Sequence, residues 1–171
     1  MHSYRLSEVY GERAPGVYHL SDQPRYPYQT ETTTYTVAVR TIDTTASDPG
    51  FTVVEKTVWY GGRWSNTDSI ETLVMDSSGT SGALRFRNGA EEEFIVTLGI
   101  HNHNVWCDVV TDLAPGDTGL MIHTEYYTAG PRKSNWTQLA EVQKTSAQGT
   151  TVDVKFVTQE GNELVVHITI S

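Results

Sequence analysis

Apolar and polar residues alternate with a period of two along most of the chain beyond Thr33. Tyr35, Val37, Val39 and Thr41 interleave with Thr36, Ala38 and Arg40, and Leu164, Val166, Ile168 and Ile170 interleave with Val165, His167 and Thr169. Successive side chains of a strand point to opposite faces, so this alternation predicts strands with one face buried. The same pattern or a β-rich run predicts further strands at 51–59, 69–75, 82–87, 93–100, 105–111, 118–124 and 151–158. Turn chemistry separates them: Asp48-Pro49-Gly50, Tyr60-Gly61-Gly62, Asn88-Gly89, Ala114-Pro115-Gly116-Asp117 and Glu160-Gly161-Asn162. Nine short strands at this spacing predict a sandwich or barrel. One stretch has the other period. After Pro131, residues Trp136, Leu139, Ala140 and Gln143 fall at i, i+3, i+4 and i+7 with Ser134 or Asn135 as N-cap, which predicts a short amphipathic helix over 132–144.

Composition agrees with a mostly β protein. The chain holds 24 Thr and 18 Val against 9 Leu and 9 Ala, and β-branched side chains suit a pleated, half-buried surface. Residues 1–33 differ: five of the nine tyrosines and three of the six prolines lie there without sustained periodicity. They are expected to form an extended arm strapped onto a single domain at 34–171.

Charge and cysteine usage exclude several functions. Twelve Lys plus Arg stand against 21 Asp plus Glu, a formal net charge of -9, so no nucleic-acid partner is expected. The single cysteine, Cys107, rules out an internal disulfide and a multi-cysteine zinc cage. No apolar run approaches the roughly 20 residues that span a bilayer. The first sixteen residues lack the apolar core of a signal peptide, so the expected location is the cytoplasm, or the outside by release without a signal peptide.

Candidate chemistry concentrates in Gly99-Ile100-His101-Asn102-His103-Asn104-Val105-Trp106-Cys107-Asp108. Two histidines with a thiol and a carboxylate close behind could hold a metal or make a Cys–His nucleophile. Against both, no second ligand pair follows, and Cys107 alternates with Val105 and Val109 and so should face the core. No cofactor or metal is therefore expected. His123 and His167 read as surface or satisfied core histidines. A different chemistry is offered by Ser78-Gly79-Thr80-Ser81-Gly82, a glycine-punctuated loop whose hydroxyls and backbone N–H groups, joined by Asn102, could engage sugar hydroxyls.

Several blocks carry a family resemblance: TYTVAVR from Thr34, VEKTVW from Val54 with GGRW from Gly61, SGTSGALRF from Ser78, LGIHNHNVWCDVVTDL from Leu98, TGLMIHTEYY from Thr118 and EGNELVVHITIS from Glu160. Over 34–171 the chain resembles the fungal fruit body lectins of the Agaricus and Boletus type. The resemblance implies an actinoporin-like β-sandwich of two sheets with a short helical connection, no enzymatic activity, glycans as partners, and a homo-oligomer, either tetramer or dimer. It implies a primary site for galactose-β1,3-N-acetylgalactosamine, the T antigen, at Ser78, Gly79 and Asn102, with His103 standing where relatives have tyrosine. A second site, for terminal N-acetylglucosamine, maps onto Asp108, Val109, Thr111 and Arg132. Only Tyr60 separates Trp59 from Gly61, where the family carries a longer loop that adds a residue to the primary site. The fold's other known use, membrane binding or pore formation through an amphipathic N-terminal helix, is disfavoured by Gly11, Pro15, Gly16, Pro24 and Pro27.

Overall fold

The computed structural model describes residues 33–135 and 139–171; the expected arm and Trp136 lie outside the described residues. Ten strands and one helix follow in order: β1 (Tyr35–Asp43), β2 (Thr52–Trp59), β3 (Gly62–Thr67), β4 (Ile70–Met75), β5 (Ser81–Arg87), β6 (Glu93–His101), β7 (Asn104–Val110), α1 (Gly119–Thr124), β8 (Glu141–Thr145), β9 (Thr151–Glu160) and β10 (Glu163–Ile170). They form a six-stranded sheet ordered β3-β4-β1-β10-β9-β8 and a four-stranded sheet ordered β2-β5-β6-β7. Every pairing is antiparallel except β1 with β10, which run parallel and set Val37 beside Leu164 and Val39 beside Val166.

The alternation read from the sequence is the packing code. The inward residues of the larger sheet, among them Val37, Val39, Leu73, Val154 and Ile168, meet Leu84, Phe86, Val96, Leu98 and Val109 of the smaller one in one continuous core. Fully burying such a side chain stabilises the fold by roughly 1.5–3 kcal/mol. The smaller sheet is buried on both faces. Outside it, Ala83, Ile95, Trp106 and Val110 pack against Ile122 of α1 and the following Tyr126. Gly99 belongs to this layer: a Cβ there would collide with the indole of Trp106.

The helical connection between the sheets is α1, and here two expectations are corrected. Residues 118–124 were expected as strand and form a helix; 132–144 were expected as helix, yet 132–135 form turns and Glu141–Thr145 is the edge strand β8. The carbonyls of Leu139 and Ala140 decide the second case. Leu139 accepts the N–H of Cys107 at 2.8 Å and Ala140 that of Phe156 at 2.9 Å, so the chain is drawn out between the two sheets. In the first case a distant carboxylate decides. Thr118 caps α1 through its hydroxyl, and Glu55 on β2 accepts the N–H groups of Gly119 at 2.7 Å and Leu120 at 3.0 Å. These are the amides a helix start leaves without partners. A third element, β3, was not anticipated.

Glu55 also pairs with Arg85, which in turn holds Glu93. Burial works against its charge, but the two helix amides and Arg85 outweigh it and hold the carboxyl below its ordinary range. Replacing Glu55 by Ala is expected to destabilise the protein by about 1–3 kcal/mol, because the Gly119 and Leu120 amides lose their acceptor. Chemical denaturation measures this; an unchanged midpoint would remove Glu55 as the anchor of α1.

Candidate functional site

Three connections converge at one end of the sandwich. Tyr60 and Gly61 cross from β2 to β3, residues 76–80 cross from β4 to β5, and Asn102 with His103 turn β6 into β7. Hydrogen bonds lace them with the middle connection between the other two. On one side Thr80 Oγ1 donates to the Tyr60 carbonyl at 2.9 Å and the Asp76 N–H to that of Gly61 at 2.8 Å. On the other, the Gly79 N–H donates to Ile100 at 2.7 Å, the Ile100 N–H returns to Thr80 at 3.0 Å, and the His103 N–H donates to Ser78 Oγ at 3.0 Å.

The structure therefore brings Ser78, Gly79, Asn102 and His103 together. It also changes what each can offer. The Gly79 amide, expected to be available, is consumed within the fold. What Gly79 presents instead is space: its φ is +93° and no atom lies within 4 Å of where a Cβ would stand. Ser78 Oγ accepts from His103 and keeps its own proton to donate. Asn102, at φ 48°, is exposed, and its side-chain amide makes no hydrogen bond with a described residue. His103 is turned aside, with Nδ1 2.7 Å from the Tyr35 hydroxyl.

Two features beside this cluster were missed. A cavity of about 160 Å³ next to Gly79 is walled by Ile100, Trp106, Tyr126 and Tyr127, with Lys133 at its edge. Beneath it runs a buried polar chain. Thr57 Oγ1 lies 2.7 Å from His123 Nδ1, Ser81 Oγ lies 2.7 Å from His123 Nε2 and 2.5 Å from the Tyr127 hydroxyl, and the Tyr127 ring stacks on Trp59 at 4.3 Å. His123 is thus a satisfied core histidine, 1% exposed. A larger hollow, about 430 Å³, lies at the opposite end of the sandwich and includes Arg85, Glu92, Glu93 and Ser146. Several of its charged groups are already committed: Arg85 to Glu93, and Glu92 to Ser146 and Thr150.

Cys107 faces the core, as its alternation with Val105 and Val109 predicts. The thiol is fully buried and donates towards the carbonyls of Leu139 and Val154. Burial, aided by the charges of Asp108, Asp153 and Glu141, pushes it up to about 12, so almost no thiolate exists near neutral pH. Among the described residues, no three His, Cys, Asp or Glu side chains gather closely enough to hold a metal ion.

The second set is arranged differently. Asp108 is 6% exposed and accepts from the Tyr126 hydroxyl at 2.8 Å, Lys144 Nζ at 3.0 Å and the Val109 N–H at 2.9 Å. The Val109 side chain is in the core, and its carbonyl accepts from Lys144 at 2.5 Å. The Thr111 hydroxyl donates to Asp112, and Arg132 pairs with Glu125 at 3.0 Å. Tyr126 links the halves, since it donates to Asp108 and feels the charge of Arg132. The set is contiguous and engaged internally.

A β-sandwich of this topology, with a laced polar cluster at one end, has clear relatives. A family model described as fungal fruit body lectin matches residues 33–168. The chain is 42% identical to the Boletus edulis lectin over 142 residues, 81% of this chain and 99% of that one. The crystal structure of wild-type Xerocomus chrysenteron lectin matches with a TM-score of 0.77 at 43% identity, covering 81% of this chain and 99% of that chain. A mutated form of the same lectin matches at 44% identity, the same TM-score, and 98% of its length. The chain belongs to the fungal fruit body lectin family. It is a carbohydrate-binding lectin.

The buried chain beneath the cluster makes stability depend on acid. Burial lowers His123 from 6.5 to about 4 in the folded protein. Between those values the unfolded chain binds a proton that the native state refuses. Stability is therefore complete above about pH 6.5, falls as pH drops, and has lost on the order of 3 kcal/mol from this group below pH 4. Denaturation midpoints measured from pH 7 to 4 should fall more steeply in the wild type than in His123→Gln; parallel curves would show that His123 is not the group involved.

Proposed function

We propose that the lectin recognises glycans of the galactose-β1,3-N-acetylgalactosamine type through Ser78, Gly79, Asn102 and His103. The observation that carries this reading is the open surface over Gly79, flanked by the Ser78 hydroxyl and the unengaged Asn102 amide. A hydroxyl that donates and an amide that both donates and accepts suit the vicinal hydroxyls of a pyranose. Identity above 40% to two mushroom lectins over nearly their full lengths supports the placement. A second, weaker site for terminal N-acetylglucosamine lies at Asp108, Val109, Thr111 and Arg132. It is weaker because Lys144 and Tyr126 already occupy the Asp108 carboxylate.

Calorimetry with the two sugars separates the sites. Asn102→Ala is expected to weaken the T-antigen disaccharide by roughly 0.5–1.5 kcal/mol, the usual net worth of a neutral hydrogen bond, and to leave N-acetylglucosamine untouched. Thr111→Val should do the reverse without disturbing the interactions of Asp108. Unchanged disaccharide affinity in folded Asn102→Ala would remove the primary site from this loop.

The lectin acts as a homo-oligomer. A shallow exposed site should bind one sugar near the millimolar end, about -4 kcal/mol, too weakly to hold a cell surface. Joining sites in one assembly raises avidity by about 10² to 10⁴ without a new contact. The outer face of the six-stranded sheet, with Ala38, Val74 and Val165 half-buried along β1, β4 and β10, is available for such contacts. Light scattering of the full chain should give a dimer or tetramer; a monomer that still agglutinates red cells would overturn the multivalency argument.

A further inference from the structure

Resting on the primary-site reading, we infer that Tyr60 is the aromatic platform of that site and sets its preference for galacto-configured sugars. Its backbone is the first observation. Tyr60 and Gly61 both have positive φ, 54° and 64°, a pair of conformations that Asn-Gly adopts most readily. A bulky residue in the left-handed region is a true outlier that strains the backbone. The fold receives nothing in return, because the side chain is 82% exposed, the most exposed of the large hydrophobic residues described. Neither propensity nor packing explains a tyrosine here.

Its position is the second observation. The Tyr60 carbonyl is fixed to Thr80 Oγ1 at 2.9 Å, and Gly61 to the Asp76 N–H, so the turn is fastened to the 76–80 connection. Ile100 and His103, which flank Asn102 in the chain, are fastened to the same connection. The Tyr60 turn is thus tied to the same connection that carries Ser78 and Gly79, and its exposed ring is the one proposed to meet a sugar resting over Gly79. The other aromatic rings near Gly79 line the small cavity: Tyr127, half-buried and stacked on Trp59, with the buried Trp106 and Tyr126; among the large hydrophobic residues described, Tyr60 is the one whose ring stands out into solvent.

The chemistry follows from sugar stereochemistry. An axial hydroxyl at C4 clears one face of a galactopyranose of polar groups and leaves a patch of C–H bonds. These sit favourably against the electron-rich face of an aromatic ring. A glucopyranose, with C4–OH equatorial, presents a less continuous patch. Tyr60 discriminates through its ring face, and its hydroxyl is dispensable.

Tyr60→Phe, Tyr60→Asn and Tyr60→Gly test this by calorimetry with galactose, the T-antigen disaccharide and glucose, alongside thermal unfolding. Tyr60→Phe should keep galactose affinity within about twofold. Tyr60→Asn and Tyr60→Gly should weaken it by roughly three- to tenfold, narrow the galactose-to-glucose preference, and unfold at the same or a higher temperature because strain is relieved. Wild-type affinity in Tyr60→Asn would overturn the platform. So would an equal loss in Tyr60→Phe, or a loss accompanied by a lower unfolding temperature in both Tyr60→Asn and Tyr60→Gly. A wild-type chain that binds galactose through Asn102, with Tyr60→Asn indistinguishable from it, removes the platform alone; a wild-type chain that binds none of these sugars removes the primary-site reading and the platform together.

Discussion

The parallel pairing of β1 with β10 is the constraint on which the rest of the molecule depends. It joins the first and last strands at the centre of the six-stranded sheet, so that sheet cannot close until nearly all of the domain has been made. Its inward valines, leucines and isoleucines form one wall of the core, and the four-stranded sheet has nothing to pack on without them. Long-range pairing of this kind pays its loop-closure entropy before packing returns it. The ladder also sets the position of Tyr35, whose hydroxyl holds the imidazole of His103 at the far tip of the other sheet.

The two sheets exchange no ladder hydrogen bonds, so the connections that cross between them must align their ends. At the end that carries the proposed site, that alignment also fixes the loop residues relative to one another. The amides and hydroxyls that lace residues 60–61, 76–80 and 102–103 hold the three connections in one arrangement, so a ligand taken at the proposed site would meet it preformed. Preorganisation of this sort lowers the entropic cost of binding. The buried chain from Thr57 through His123 and Ser81 to Tyr127 stiffens the floor beneath it.

Most of the fold was legible because alternation is a local signal with a global meaning. Val37, Val39, Leu164 and Ile168 could be placed on one face from the chain alone, and they are. The failures have physical causes. Strand β3, GRWSNT, is largely exposed with only Trp64 packed against the core, so it carries almost no alternation. Residues 118–124, TGLMIHT, read as a short apolar run of strand length, but Glu55, 64 residues before Gly119, supplies the amide acceptor that stabilises a helix start. Residues 139–145 were claimed by strand edges on both sides. At the site, Ser78, Gly79 and Asn102 were legible as polar loop residues, while their mutual lacing was not. Nothing local announces that Gly79's amide is spent on Ile100, or that Asp108 is held by Lys144, 36 residues away.

Because β1 and β10 run in the same direction, their far ends also coincide. Asp43 lies beside Ile170, and Ser171 exchanges hydrogen bonds with Thr151, at the end of the sandwich away from Tyr60, Gly79 and Asn102. A tether attached at Ser171 thus leaves the molecule from its back. Anchored to a bead or a sensor chip through that residue, the lectin presents the loops of the proposed site to the solution in a uniform orientation, with no chemistry near them.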